Sequence, residues 1–297
     1  MNKKYPSFAG ANTAIITPFQ NGKIDEQAFI KLIEFQLAAG IHGILPTGTT
    51  GEAPTLTPEE QLRVIELTIK TVNKRALVIA GTGSNSTEKT IEMTQKAEQL
   101  GADAALIVVP YYNKPSQEGL YRHFKEVAAS VKIPIVPYDN PTRCGVELSI
   151  PTILRMAANC PNIIALKDSV GNIDRINKLK AELPAHFELL SGDDIFTLPL
   201  LKAGGVGVFS VASNFIPAQI VQLVSLFADR KPQQAEQLHN HLSLFFKNIF
   251  IESNPVPIKT ALAMRGMIQE EFRLPLVELA KENRAILEKT IKELGLI

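Results

Sequence analysis

Cysteine is scarce in this chain: two residues, Cys144 and Cys160, in 297. They have neither the spacing of zinc ligands nor the density of a disulfide-stapled secreted domain, and they read as reduced thiols. Charge of one sign is equally lacking. The 31 Lys and Arg balance the 30 Asp and Glu to a formal net charge of +1, which provides no electrostatic footprint for nucleic acid or an anionic membrane. No apolar run approaches the length needed to span a bilayer, and Met1 to Gly10 has two lysines but no signal-peptide core. The five histidines are scattered and form no His-Glu-x-x-His pattern, and no Gly-x-Gly-x-x-Gly follows the first strand candidate. What remains is an ordinary soluble composition, 45% hydrophobic and 21% charged, expected in the cytoplasm with neither nucleic-acid nor membrane partners.

What is present is a repeated grammar of short apolar runs and amphipathic stretches. Thr13 to Thr17 is the first strand candidate, and Asn21-Gly22 then turns the chain toward a helix capped by Asp25. Phe29, Leu32, Ile33 and Leu37 fall on one helical face, and Ala39-Gly40 ends it. Further strand candidates are Gly43–Pro46, Leu77–Ala80, Ala104–Val109, Ile133–Val136, Ile163–Leu166, Glu188–Leu190 and Val206–Phe209. Short buried strands alternating with helices imply parallel pairing with both faces covered. About eight such units fit a (β/α)8 TIM barrel. A doubly wound sheet is the alternative, and it lacks its dinucleotide fingerprint. After Val208 no strand recurs. A helical face at Ile220 to Phe227 and a stripe from Ala235 to Ile249 come first. Then follow a break at Asn254-Pro255-Val256-Pro257, a helix at Ile258 to Met267 and a last one at Leu276 to Leu294. We therefore expect a catalytic barrel over 1–226 and a small all-helical C-terminal domain over 227–297.

In a barrel of this kind the strand ends carry the chemistry. Lys167 closes the run Ile163 to Leu166. A lysine there commonly packs its stem and sends the ammonium to water. Kept neutral by burial, it would instead be a nucleophile toward a carbonyl carbon. Asp168 follows it directly, so strand alternation sends that carboxylate to the other face. The second strand runs into Thr47-Gly48-Thr49-Thr50-Gly51-Glu52, where glycines let backbone N–H groups converge on an anion and hydroxyls add donors. No Gly-Lys-Ser/Thr follows, so a carboxylate suits this loop better than a triphosphate. Tyr111-Tyr112 after the fourth strand and Tyr138 after the fifth are candidate proton carriers, and Arg143 offers a planar fork for a second carboxylate. Converging at one barrel mouth, these parts suit addition of an α-keto acid to a carbonyl compound through a lysine imine. The protonated imine is the electron sink, so neither metal nor other cofactor is expected.

Gly48-Thr49-Thr50-Gly51-Glu52, Pro110-Tyr111-Tyr112-Asn113-Lys114-Pro115, Tyr138-Asp139-Asn140-Pro141-Thr142-Arg143-Cys144-Gly145, Lys167-Asp168-Ser169-x-Gly171-Asn172, Ser191-Gly192-Asp193-Asp194 and Asn254-Pro255-Val256-Pro257-Ile258-Lys259 occur in that order. Together they resemble the dihydrodipicolinate synthase family of the pyruvate-dependent aldolases, over nearly the whole chain. The resemblance implies condensation of pyruvate with L-aspartate 4-semialdehyde, on the route to diaminopimelate and lysine, by a homotetramer built as a dimer of dimers. It implies Lys167 as the Schiff-base lysine and Tyr138 as the proton carrier. Thr49 and Tyr112 would be relay partners, with Tyr112 reaching into the adjacent subunit's site. Thr50 and the backbones of Gly192 and Phe209 would meet the pyruvate, and Arg143 the semialdehyde carboxylate. N-acetylneuraminate lyases and keto-deoxy-sugar acid aldolases share the lysine, the loop and the tyrosine. Arg143 and the Tyr111-Tyr112 pair favour the synthase over these siblings, and a catalytically silent binding barrel is the reading from another class. In lysine-inhibited relatives, free lysine sits at the tight-dimer interface. Asn85 and Tyr111 match that pocket, but Lys89 replaces its glutamate and Pro58 another ligand. A second ammonium there repels the effector, so feedback inhibition should be weak or absent.

Overall fold

Eight parallel strands close into a barrel in the computed structural model, which describes residues 5–296. They are β1 (Gly10–Ala14), β2 (Gly43–Leu45), β3 (Leu77–Gly81), β4 (Ala104–Val108), β5 (Ile135–Asp139), β6 (Ala165–Asp168), β7 (Glu188–Ser191) and β8 (Gly207–Ser210). Each strand lies beside the next in sequence, and β8 returns to β1 with Gly10 opposite Gly207 and Thr13 opposite Ser210. Side-chain alternation divides the apolar residues between two places. Leu45, Ile79, Leu106, Val136, Tyr138, Leu190 and Phe209 fill the lumen, with Phe8 from the N-terminal segment beneath them. Their strand neighbours Ile44, Val78, Ile107, Leu166, Leu189 and Val208 face outward into the layer between strands and helices.

Local signals account for the helix boundaries. Asp25 accepts a hydrogen bond from the Ala28 N–H at 2.9 Å and starts the helix Glu26–Ala38. Thr57 and Glu60 form a reciprocal capping box at the head of Pro58–Val72. Gly101, with φ of 99°, takes the left-handed cap after Thr87–Leu100. Pro217–Ala228 is the helix that follows β8, and Pro232–Asn248, Val256–Met264 and Lys281–Glu293 come after it. Phe245, Phe246, Leu262, Leu287 and Ile291 from these last helices share one buried cluster with Ile15, Phe29 and Val208.

Several expected boundaries shift. The strand expected at Thr13–Thr17 is Gly10–Ala14, because the ladders to β2 and β8 use Gly10 to Ala14. Beyond it the Ile16 N–H goes to Asn214 Oδ1 rather than to a strand. The fifth strand extends to Asp139, so Tyr138 lies within it. Pro137 hid this, since proline supplies no ladder donor. The sixth starts at Ala165 rather than Ile163, which makes only an isolated bridge to Ile135. Asn162 donates its side-chain amide to the carbonyls of Ala128, Val131 and Ile133. The helix expected at Ile258 to Met267 runs Val256–Met264 and stops before Gly266, whose φ is 72°. The last helix begins at Lys281 rather than Leu276, where Glu252 Oε1 accepts from the Ala280 N–H and the Asn283 amide. Asn21-Gly22 turns a small hairpin, Phe19–Gln20 against Lys23–Ile24.

Candidate active site

Lys167 is the penultimate residue of β6 and only 6% exposed. Leu166 faces the outer layer, so alternation turns Lys167 into the lumen. Its Nζ stands 4.1 Å from the centroid of the Tyr138 ring and 5.4 Å from that of Phe209. Burial lowers its pKa to about 7; Asp194 and Asp193 oppose that shift and Arg143 adds to it. At neutral pH a large fraction of this amine is therefore unprotonated, as a carbonyl nucleophile must be.

Tyr138 is opposite Lys167 in the parallel β5–β6 pairing. Asn140 donates its amide to Tyr138 Oη at 2.9 Å, which leaves the phenol's own proton free for another acceptor. Burial raises the Tyr138 pKa, and the Asn140 and Ser169 side chains moderate the rise. Asp194, whose carboxylate favours the charged form of the lysine, accepts from Ser210 Oγ and from the Val211 and Ala212 N–H groups. Desolvation pushes its carboxyl up to about 6.

Gly192 has a steric reason to be glycine. A Cβ there would stand 2.1 Å from Ser169 Oγ and 3.0 Å from Lys167 Cε. The Gly192 N–H donates to the Asp168 carbonyl at 2.8 Å, fixing the loop after β7 against the lysine strand. Substituting alanine at Gly192 should displace the lysine and cut imine formation by about tenfold or more. Stopped-flow absorbance with pyruvate reads this, and an unchanged rate would contradict the crowding.

The threonine loop is held from several sides. Thr47 donates to the Gly81 carbonyl at 2.9 Å, and Thr17 donates to the Gly51 carbonyl at 2.7 Å. Thr49 is half-buried in the loop and Thr50 fully buried. Asn254 Nδ2 donates to Thr50 Oγ1 at 3.0 Å, while the Asn254 carbonyl accepts from Arg143 Nη2 at 3.2 Å. Asn254, in the segment between the helices Pro232–Asn248 and Val256–Met264, thus joins the threonine loop to the exposed arginine at the rim. Lys259 reaches the same loop from below and pairs with Glu52, both wholly buried.

Lys167, Tyr138, Gly192 and Phe209 thus surround one point, with Thr50 and Arg143 linked to each other through Asn254. Tyr111 and Tyr112 do not join them within one chain. Tyr112 is 89% exposed with φ of 72°, a conformation that side chains rarely adopt. Asn113 donates from this segment to the Asn85 carbonyl at 2.8 Å, and Lys89 lies exposed at the head of the neighbouring helix. Asn140, Asp194 and Asn254 stood in the quoted motifs without a role assigned. Arg175 drew no attention at all, since a helical arginine is usually a solvated one.

The dihydrodipicolinate synthetase family model matches residues 7–294. The chain is 49% identical over 290 residues to 4-hydroxy-tetrahydrodipicolinate synthase of Thermodesulfovibrio yellowstonii, covering 98% of this chain and 99% of that one. Its fold superposes with a TM-score of 0.96 on 4-hydroxy-tetrahydrodipicolinate synthase of Methylacidiphilum fumariolicum SolV, at 48% identity over 97% and 96% of the two chains. Dihydrodipicolinate synthase of Aquifex aeolicus gives the same TM-score at 47% identity, over 97% and 99%. With a closed barrel, an inward lysine beside a tyrosine, and matches of this length, the chain belongs to the dihydrodipicolinate synthetase family.

Proposed function

We propose that this chain is a 4-hydroxy-tetrahydrodipicolinate synthase, condensing pyruvate with L-aspartate 4-semialdehyde through an imine on Lys167. The observation that carries the residue assignment is the buried Lys167 amine, with its pKa near 7, pressed against the Tyr138 ring. The neutral amine attacks the keto carbon of pyruvate, and the keto oxygen leaves as water after taking protons. Tyr138, its phenol already accepting from Asn140, supplies and recovers those protons. Loss of a methyl proton converts the protonated imine to an enamine, whose terminal carbon attacks the aldehyde carbon of the semialdehyde. Thr50, Gly192 and Phe209 border the pyruvate, and Arg143 at the rim receives the semialdehyde carboxylate. Borohydride with pyruvate should leave a reduced pyruvyl adduct on Lys167, detected by peptide mass spectrometry. Absence of that adduct would sink the Schiff-base assignment. Arg143→Ala should still trap pyruvate while losing most condensation activity.

Arg143 also separates this reading from N-acetylneuraminate cleavage, which a direct substrate comparison tests. The exposed, left-handed Tyr112 supports assembly as a dimer of dimers in which Tyr112 completes the Tyr138–Thr49 relay of a partner subunit. Sedimentation velocity tests the tetramer. Among the described residues no helix is long and apolar enough to cross a membrane; a cytoplasmic location fits this chemistry. We read the chain as a barrel unit over 1–226 and a C-terminal helical unit over 227–297. At the Asn85–Tyr111 surface, Lys89 places an ammonium where a lysine effector would need a carboxylate. Lysine at submillimolar concentration should leave the coupled-assay rate unchanged, and Lys89→Glu should confer inhibition. Strong inhibition of the native chain would refute this assignment.

A further inference from the structure

Directly behind the reactive pair, on the outer face of the same two strands, lies a buried charge cluster that the chemistry above does not use. Arg175, 6% exposed, donates from Nη2 to Asp139 Oδ2 at 2.6 Å and from Nε to Asp168 Oδ2 at 3.0 Å. Its Nη1 donates to Glu147 Oε1 and to the Leu148 carbonyl, both at 2.7 Å. Asp139 follows Tyr138 and Asp168 follows Lys167, and the two aspartates are opposite each other exactly one row beyond the tyrosine and the lysine.

The backbone seam between these strands is short, bonded at its ends by the Ile135 N–H to the Asn162 carbonyl at 2.7 Å and the Ser169 N–H to the Asp139 carbonyl at 2.9 Å. β5 and β6 are opposed over only two rows, Tyr138–Lys167 and Asp139–Asp168, preceded by the isolated Ile135–Ile163 bridge. Pro137 removes a backbone donor from β5. By contrast β4 and β5 are aligned over four rows. A planar guanidinium with donors in a fixed fork can set the spacing of two carboxylates, which a backbone seam this short does poorly. Buried carboxylates are costly unless paired, and here one cation serves both.

We propose that Arg175 is a positioning residue: by gripping Asp139 and Asp168 it fixes β5 against β6 and so holds the Tyr138 phenol against the Lys167 amine. Its third hand, on Glu147 and Leu148, ties in the segment that follows the Arg143 turn, so the rim arginine rides on the same cation. The proposal rests on the assignment of Lys167 and Tyr138 as the reacting pair. Arg175 holds Asp139, Asp168, Glu147 and Leu148 but not Thr50 or its loop, so pyruvate binding should be largely spared while proton transfer suffers.

The test is Arg175→Lys, which keeps the charge but not the fork, measured beside the native chain. Three readouts are taken: kcat, KM for pyruvate, and deuterium uptake from D2O into the pyruvate methyl group without the semialdehyde. Loss of alignment should lower kcat and deuterium uptake by about tenfold or more, with KM within about threefold. Asp139→Leu, which removes one grip at a similar branched shape, should lower both rates by a smaller factor; it carries the test should Arg175→Lys not fold. Rates within about twofold of native in the folded variant, or a change confined to KM, would overturn the clamp. Failure of the native chain to trap pyruvate with borohydride would overturn the Schiff-base assignment and the clamp with it.

Discussion

Lys167→Met should give a protein that no longer reacts with pyruvate yet melts at a higher temperature than the native chain. The loss of turnover should be on the order of 10^4-fold or greater, because nothing else in the lumen can form the imine. The gain in stability follows from the same desolvation that makes the amine reactive. Lysine ordinarily titrates near 10.5, and the folded environment brings Lys167 to about 7. Below pH 7 both folded and unfolded chains carry the proton, and the folded one bears the full penalty of a buried ammonium. Between pH 7 and 10.5 the unfolded chain still binds a proton that the folded chain has released, so native stability rises with pH across that window. Methionine fills the same space without charge. The variant should therefore be more stable by roughly 4 kcal/mol at pH 7, with the difference shrinking toward pH 10.5. Urea denaturation at pH 7 and pH 10 measures both points. Equal stabilities at pH 7 would mean that the amine is better solvated than its surroundings indicate. On the same basis, imine formation should rise about tenfold per pH unit below 7 and level off above it.

The second large effect is expected at Lys259. Its ammonium is wholly buried, paired with Glu52 and flanked by the rings of Phe19 at 4.4 Å and Phe272 at 5.0 Å. Burial pulls its pKa down and the Glu52 carboxylate pushes it back up. Removing one partner leaves the other as an uncompensated buried charge. Lys259→Ala should therefore destabilise the fold by about 3–5 kcal/mol. Glu52 Oε2 already lacks a hydrogen-bond partner among the described residues, so no local group is ready to absorb the loss. The pair Glu52→Gln with Lys259→Met, neutral on both sides, should recover most of that stability. A double variant as unstable as Lys259→Ala would show that shape rather than charge is at stake. Glu52 ends the threonine loop with φ of 54°, so the single variant should also raise KM for pyruvate.

Much of this was legible in the chain itself, and the reasons are particular. Strand–helix alternation fixes the barrel because a parallel strand must be covered on both faces and so reads as a short, wholly apolar run. Asp25 and Gly40 mark the ends of the first helix because a side-chain oxygen satisfies the backbone at one and a missing Cβ permits φ of 79° at the other. Lys167 alone reads as a packed stem with a solvated ammonium, and it stands out only because the threonine loop, the tyrosines and Arg143 fall at other strand ends of the same barrel.

What the sequence could not determine depends on distances between segments far apart in the chain. The β5 and β6 boundaries moved because ladder partners, not local hydropathy, decide where a strand stops. Asn254 joins Thr50, 204 residues before it, to Arg143, 111 residues before it, and nothing in its neighbours foretells that. Arg175 looks like an ordinary helix-surface residue until two strands place Asp139 and Asp168 beneath it. The composition and order of residues determined a barrel and pointed to Lys167 as its candidate amine nucleophile. Only the tertiary structure decided how far that amine is desolvated, which ring it faces and what grips the strands behind it, because burial and register are properties of many segments at once.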